Sequence, residues 1–278
     1  MARGLNRVTL VGTLTQDPEL RYTAGGLAVM ELNLAGNDVV TDEQGQTREP
    51  AWYHRVKLLG KSAEFWGDTL KAGMALFVEG KLEYRSWEQD GQKKSNLEIR
   101  ADRMEIVSLE GKRGQVTVTD ARGQERLKDG LNHVMLVGNL TRDPELRYTP
   151  QGTAVTRLSL AVNEKFTTRQ GGDQEKVHYV EAQAWRELAE FAAELKKGDG
   201  AFLMGRLVND SWTAQDGTRR YTTRVELSRL ERLARGTGQS TGGNSSQSAA
   251  SAAKGRAGKV DIDEGLVDDF PPEEDLPF

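Results

Sequence analysis

The chain has 278 residues, with 38 Lys and Arg against 42 Asp and Glu for a formal charge of −4, 37% hydrophobic residues and no cysteine. That length allows about two domains. The missing cysteines exclude disulfides, thiolate nucleophiles and cysteine-held zinc, and no apolar run approaches the roughly 20 residues of a membrane-spanning helix.

The first residues, Met1 to Arg7, are basic but carry no apolar stretch of signal-peptide type, so a cytoplasmic location is expected. From there apolar residues alternate over short runs: Val8, Leu10, Gly12 and Leu14; Ala28, Met30, Leu32 and Leu34; Val56 and Leu58; Leu76, Val78, Gly80 and Leu82. Period two, broken by Asp17-Pro18, Gly25-Gly26 and Asp90-Gly91, predicts half-buried antiparallel strands. Between the third and fourth strands a short helix is expected over Lys61–Lys71, ending at Gly73. Residues 111–128 form a charged connector in which Val116-Thr117-Val118 and Asp120-Ala121-Arg122-Gly123 suggest a small hairpin.

The pattern then repeats at an offset of 126: residues 131–163 match residues 5–37 at 22 of 33 positions, and Asp17 to Thr23 recurs unchanged as Asp143 to Thr149. A period this long duplicates a domain and is too long for a solenoid unit of about 20 to 50 residues. The second helix is clearer, with Leu188, Phe191, Ala192 and Leu195 at helical spacing before Gly198. Strands with one helix between the third and fourth are the pattern of the OB-fold, a five-stranded Greek-key barrel. The expected class is all-β with one short helix per domain: one OB-fold over 1–110, the connector 111–128, a second OB-fold over 129–235, and a tail.

Residues 236–260 are nearly all Gly, Ser, Ala, Gln and Thr, a composition expected to stay disordered as a flexible tether. Residues 261–278 hold eight carboxylates and no Lys or Arg, so the other 260 residues, relieved of those eight charges, sum to +4. The tip interleaves Asp268, Asp269, Glu273, Glu274 and Asp275 with Phe270, Leu276, Pro277 and Phe278. Such a sequence suits capture by a basic, apolar pocket on another protein.

No catalytic set can be assembled. Gly60-Lys61-Ser62 lacks the upstream glycine of a phosphate-binding loop, since position 55 is Arg55, and His54, His133 and His178 are scattered. Neither an enzyme, a metal site nor a cofactor is expected. Aromatic residues instead accompany basic ones on predicted strands. Stacking on bases is assigned to Trp52, Tyr53, Trp87, Phe166, Tyr179, Trp185 and Trp212, and phosphate contact to Arg55, Lys57, Lys81, Arg85, Arg186 and Arg206. Flat π-surfaces beside cations fit a single strand, whose bases are free to stack on protein.

Leu5 to Val8, Asp17 to Tyr22, Tyr53-His54-Arg55-Val56, Leu59-Gly60-Lys61, Val78 to Leu82, Trp87 and the terminal Leu276-Pro277-Phe278 resemble the bacterial single-stranded-DNA-binding protein family, and the duplication resembles its Deinococcus-Thermus type. The resemblance implies sequence-independent protection of single-stranded DNA near the nucleoid, in replication, recombination and repair. It also implies a homodimer presenting four OB domains, with the tip recruiting partner enzymes. The family's four stacking positions fall on Val40, Tyr53, Leu59 and Trp87 in copy one and on Phe166, Tyr179, Trp185 and Trp212 in copy two, so copy one is poorer in aromatics. The family's histidine after the second position is His54, which implies a place at the dimer interface. An RNA chaperone, or an assembly hub that binds no nucleic acid, are the alternatives.

Overall fold

A computed structural model describes residues 4–41, 45–89, 92–109, 116–121, 123–167, 172–213 and 219–234. The expected tether and tip lie outside these residues. None of the helices described is long and apolar enough to cross a membrane.

Copy one contains β1 (Leu5–Leu14), β2 (Leu20–Tyr22), β3 (Ala28–Asn37), β4 (Val40–Thr41), β5 (Thr47–Arg48), β6 (Ala51–Leu59), α1 (Lys61–Trp66), β7 (Ala75–Gln89) and β8 (Gln92–Val107). The period-two apolar residues point inward: Ala28, Met30, Leu32, Leu34, Val56, Leu58, Leu76, Val78 and Leu82 are all at most 1% exposed. Burying each larger one contributes roughly 1.5–3 kcal/mol. β1 pairs with β7 along one edge and reaches β3 through Thr13 and Leu14; β3 pairs with β6, β6 runs parallel to β8 at Val56 and Ile99, and β8 returns along β7. The five strands therefore close, leaving no free edge within the barrel.

β7 bends through a register shift between Glu79 and Gly80. A Cβ on Gly80 would stand 2.0 Å from the Arg100 carbonyl oxygen, and Gly205 repeats the arrangement at 2.0 Å from the Glu226 oxygen. Only glycine lets the two backbones pass at that bulge. Helix α1 is shorter than the expected Lys61–Lys71. It stops at Trp66 because Gly67, Asp68 and Thr69 are weak helix formers, although Leu70, at 1% exposure, is still buried from the turn that follows.

The connector folds as the expected hairpin, β9 (Thr117–Thr119) against β10 (Glu125–Leu127), around a turn in which the Gly123 N–H donates to the Asp120 carbonyl at 3.0 Å. It lies on copy one: Leu127 pairs with Gly36 and is 6% exposed, and the Thr13 hydroxyl donates to the Glu125 carbonyl at 2.6 Å.

Copy two repeats the barrel with β11 (Leu131–Leu140), β12 (Glu145–Tyr148), β13 (Ala154–Thr167), β14 (Asp173–Trp185), α2 (Glu187–Ala193), β15 (Gly200–Thr213) and β16 (Arg219–Leu233). The barrels join through β1 and β11, antiparallel from Leu5 opposite Val137 to Val11 opposite Leu131. Val8 faces Val134, its own repeat partner, so the two copies meet about an approximate two-fold axis. Both OB-folds are thereby held in one continuous sheet.

Candidate nucleic-acid interface

On β6 the pleat sends Trp52, His54, Val56 and Leu58 inward and leaves Tyr53, Arg55, Lys57 and Leu59 on the outer face. Asn33 stands opposite Arg55 and Glu31 opposite Lys57 on β3. Tyr53 is 39% exposed. Arg55 lies 3.6 Å from Glu31, while Glu98 takes Lys57 at 2.6 Å and Arg85 at 3.6 Å. Three cations thus face two carboxylates, and the exposed guanidiniums of Arg55 and Arg85 are held by long, solvent-screened pairs that a phosphate can displace at little cost. Asn96 and Glu98 of β8 also line this cleft of about 510 Å3, and Trp87, 44% exposed, continues along the same side of the β7–β8 hairpin.

The far wall of the cleft belongs to the other domain: Asn209, Thr222 and Thr223 of the β15–β16 hairpin. Asn209 donates from Nδ2 to the Tyr53 carbonyl at 2.5 Å and reaches His54 Nδ1 at 3.3 Å. The exchange is mutual. Tyr84 on the β7–β8 hairpin donates its backbone N–H to His178 Nδ1 at 3.2 Å and meets the Tyr179 ring edge-on at 5.4 Å.

In copy two, Tyr179, Glu181, Gln183 and Trp185 share the outer pleat of β14, with Arg157 opposite Gln183 and Val155 opposite Trp185. Trp185 is half-buried. Relative to copy one the charges are transposed, since Glu181 occupies the place of Arg55 and Arg157 that of Glu31. Burial pushes the Glu181 carboxyl above its ordinary value, although the Ser159 hydroxyl at 2.5 Å and Arg142 at 3.2 Å both stabilise the carboxylate. Phe166, 40% exposed, sits opposite Gln174 on the reverse pleat from Tyr179 and Trp185. Trp212 lies in β15 opposite Arg220, and its side chain is outside the described residues, as is the whole tip from Asp268 to Phe278.

Four expected site residues belong elsewhere. Trp52 is 5% exposed and cannot stack on a base: neighbouring residues on a strand point to opposite faces, and Tyr53 has the outer one. Its indole fills a cradle that lacks side chains, for a Cβ on Gly36 would come within 2.5 Å of it and one on Gly12 within 2.6 Å. His54, 4% exposed and stacked on Trp52 at 5.2 Å, faces Asn209 of the same chain, so it serves the contact between the two copies and not one between chains. Desolvation lowers its pKa to about 4. Lys81 pairs with Glu164 across the domain seam, and Arg206 repeats the motif with Asp38 at 3.0 Å while also gripping Glu226 at 2.6 Å. Both cations hold the domains together in place of the phosphate contacts expected of them. Arg186 is exposed, beside Trp185, with φ at 57°.

Sequence reasoning passed over several residues that the pleat brings to these faces. Arg21 and Arg147 pair with Val29 and Val155, in line with Leu59 and Trp185 respectively, and their recurrence in the repeated Asp-Pro-Glu-Leu-Arg-Tyr segment was the available signal. Their partners Glu19 and Glu145 form only surface pairs. Asn33 follows from the same parity. The connector's Gln124 and the wall from Asn209 to Thr223 carried no signal, because neither is adjacent in sequence to the face it borders. Among the described residues no group of His, Asp or Glu gathers as a metal site.

The model of the single-strand binding protein family matches residues 5–107 and again 131–233. The single-stranded DNA-binding protein of Thermus aquaticus is 61% identical over 278 residues, covering 100% of both chains, and that of Deinococcus radiodurans is 48% identical, again over 100% of both. The crystal structure of the wild-type Thermus aquaticus protein superposes with a TM-score of 0.68 at 54% identity, covering 86% of this chain and 97% of that one. Two closed barrels, each with an aromatic and basic outer face and each matched separately, place this chain in the single-strand binding protein family, with the family's domain present twice.

Proposed function

We propose that the chain binds single-stranded DNA without sequence preference, and that two chains pair so that four OB domains serve one strand. The observation that carries this is the shared outer pleat: Tyr53, Arg55 and Lys57 in one copy, Tyr179 and Trp185 beside Arg157 in the other. Bases stack on the rings while the cations take phosphates, at roughly 1–3 kcal/mol per stacked base. Duplex DNA keeps its base faces occupied and offers these rings nothing. Relatives named for single-stranded DNA binding, matched along their full length, support the reading.

Phosphate contact falls to Arg55, Lys57, Arg85 and Arg186, and stacking to Tyr53, Trp87, Tyr179 and Trp185, with Trp212 at the end of its hairpin arm and Phe166 on the reverse face of the β13–β14 arm. The acidic tip recruits partner proteins with basic pockets, and truncation after Val260 is expected to abolish their capture. Titration with oligo-dT followed by tryptophan fluorescence tests the binding itself. Quenching is expected in the parent, with about tenfold weaker affinity in Trp185→Ala plus Trp87→Ala. An unquenched parent overturns the proposal, and a double variant that binds as tightly overturns the stacking assignment. Equal affinity for rU and dT oligomers favours the RNA reading.

A further inference from the structure

Tyr53 and Tyr179 occupy equivalent positions, and besides the transposed charges their surroundings differ in that a third element covers Tyr53. The Tyr53 hydroxyl donates to Asp120 at 2.8 Å and accepts from Arg126 Nη1 at 3.0 Å, and the Arg126 guanidinium carbon stands 5.8 Å from the centre of the Tyr53 ring. Asp120 and Arg126 both come from the connector hairpin, which is anchored to copy one by the Leu127–Gly36 pairing and by Thr13. Gln124, between them, lines the same cleft as Tyr53, Arg55 and Lys57. The connector lies between the copies in sequence and occurs once, so among the described residues nothing of this kind stands on Tyr179. Copy one is also the copy with Val40 and Leu59 where copy two has Phe166 and Trp185.

We propose that the connector hairpin is part of the nucleic-acid site of copy one, with Arg126 and Gln124 contacting the phosphodiester backbone beside Tyr53 and Asp120 acting as the anion that a phosphate displaces. This extends the binding function proposed above and rests on it. A guanidinium is planar and always charged, so next to Tyr53 it offers a phosphate a forked pair of donors and a base a second flat surface. In that way a single cation offsets part of the stacking area that copy one lacks. Asp120 holds Arg126 and Tyr53 in position through Tyr53's hydroxyl, but its charge opposes a phosphate entering the same space. Pairing of a phosphate with Arg126, while Asp120 gives up the Tyr53 hydroxyl, is the step by which the strand seats on copy one.

The test uses the full chain and a dT oligomer long enough to span both copies, titrated across a range of salt. Arg126→Ala is expected to bind about fivefold more weakly at low salt and to lose about 0.7 from the slope of log affinity against log salt, the share of one phosphate. Asp120→Asn keeps a hydrogen-bond acceptor for Tyr53 and removes the charge, and is expected to bind about threefold more tightly. Gln124→Lys guards against a folding artefact in Arg126→Ala: it leaves the hairpin's anchors untouched and should steepen the slope by about 0.7. Melting temperatures of all three are measured alongside. If the parent binds while Arg126→Ala and Gln124→Lys keep the parent's slope, or if Asp120→Asn binds more weakly, the hairpin is a structural clip only and the proposal falls. A parent that fails to bind overturns the broader function instead, so the two failures are distinguishable.

Discussion

Where the chain turns from the third barrel strand into the helix, the two copies differ by one residue of consequence: Gly60 at φ 64° and Arg186 at φ 57°. The ψ of −132° at Arg186 puts it in a region that glycine alone occupies freely, at a cost of order 1–3 kcal/mol for other residues. The proposed function gives that strained arginine, exposed beside Trp185, a role in phosphate contact. Arg186→Gly is therefore expected to raise stability by about 1 kcal/mol, read from the denaturant midpoint, while weakening binding of oligo-dT; stabilisation with unchanged affinity would remove Arg186 from the site. His54 makes a second prediction. Burial holds the folded imidazole near pKa 4 against an ordinary value of 6.5, outweighing a backbone hydrogen bond to Leu207 that favours the proton. Between those values the unfolded chain binds the extra proton, so stability is full above about pH 6.5 and falls as pH drops through 4, by about 3 kcal/mol in all. Asp38 and Glu181, raised by burial, act in the opposite sense at the acid end. The readout is accordingly the difference in urea midpoint between parent and His54→Gln, which should shrink as pH falls from 7 to 5.

Among the elements, the seam between the barrels sets which cations are available to a ligand. Asn6 bridges the Leu82 backbone, accepting its N–H at 2.9 Å and donating to its carbonyl at 2.8 Å; Asn132 does the same for Leu207 at 3.0 and 2.9 Å. Just before these clamps stand Lys81 and Arg206, each turned across the two-fold toward a carboxylate of the other copy. Glu83 belongs to the same seam, where burial raises its carboxyl but Lys176 and Arg100 pull it below its ordinary value. Removing Arg206 leaves Asp38 and Glu226 without their guanidinium in a half-buried setting. Arg206→Ala should cost about 2 kcal/mol of stability and change the salt slope of binding little. Arg55→Ala should do the reverse, with an unchanged midpoint and a slope lower by about 0.7. Equal slopes in the two variants would show that the seam and the face are not separate.

For the whole molecule, the crossed hairpins decide the geometry. Asn209 and Thr223 wall the cleft of copy one while Tyr84 touches Tyr179 of copy two, so each face is bordered by residues of the other domain. Under the proposed function, the two faces of one chain form one path instead of two independent sites. The proposed dimer extends it, and solution mass should be twice the chain's 30.7 kDa at micromolar concentration. A mass of one chain would restrict the path to two OB domains.

The duplication, the period-two strands, the single helix in each copy and the opposed charges of body and tip were all legible in the residues, because each is a local or self-comparing pattern. The connector hairpin was legible for the same reason: its turn chemistry is local. What the sequence misassigned was orientation. Trp52 and Tyr53 both look like aromatics beside basic residues, and only the pleat, fixed by which residues fill the barrel, turns one inward and one outward. Lys81 and Arg206 look like any strand cations until two distant carboxylates, Glu164 and Asp38, are brought opposite them. His54 was placed at a contact between chains because nothing local shows that β1 and β11 pair within one chain and carry copy two's Asn209 up to it. Composition and periodicity fix which residues are inside a barrel. Only the approximate two-fold between the barrels decides which of the outside residues remain free to meet a ligand.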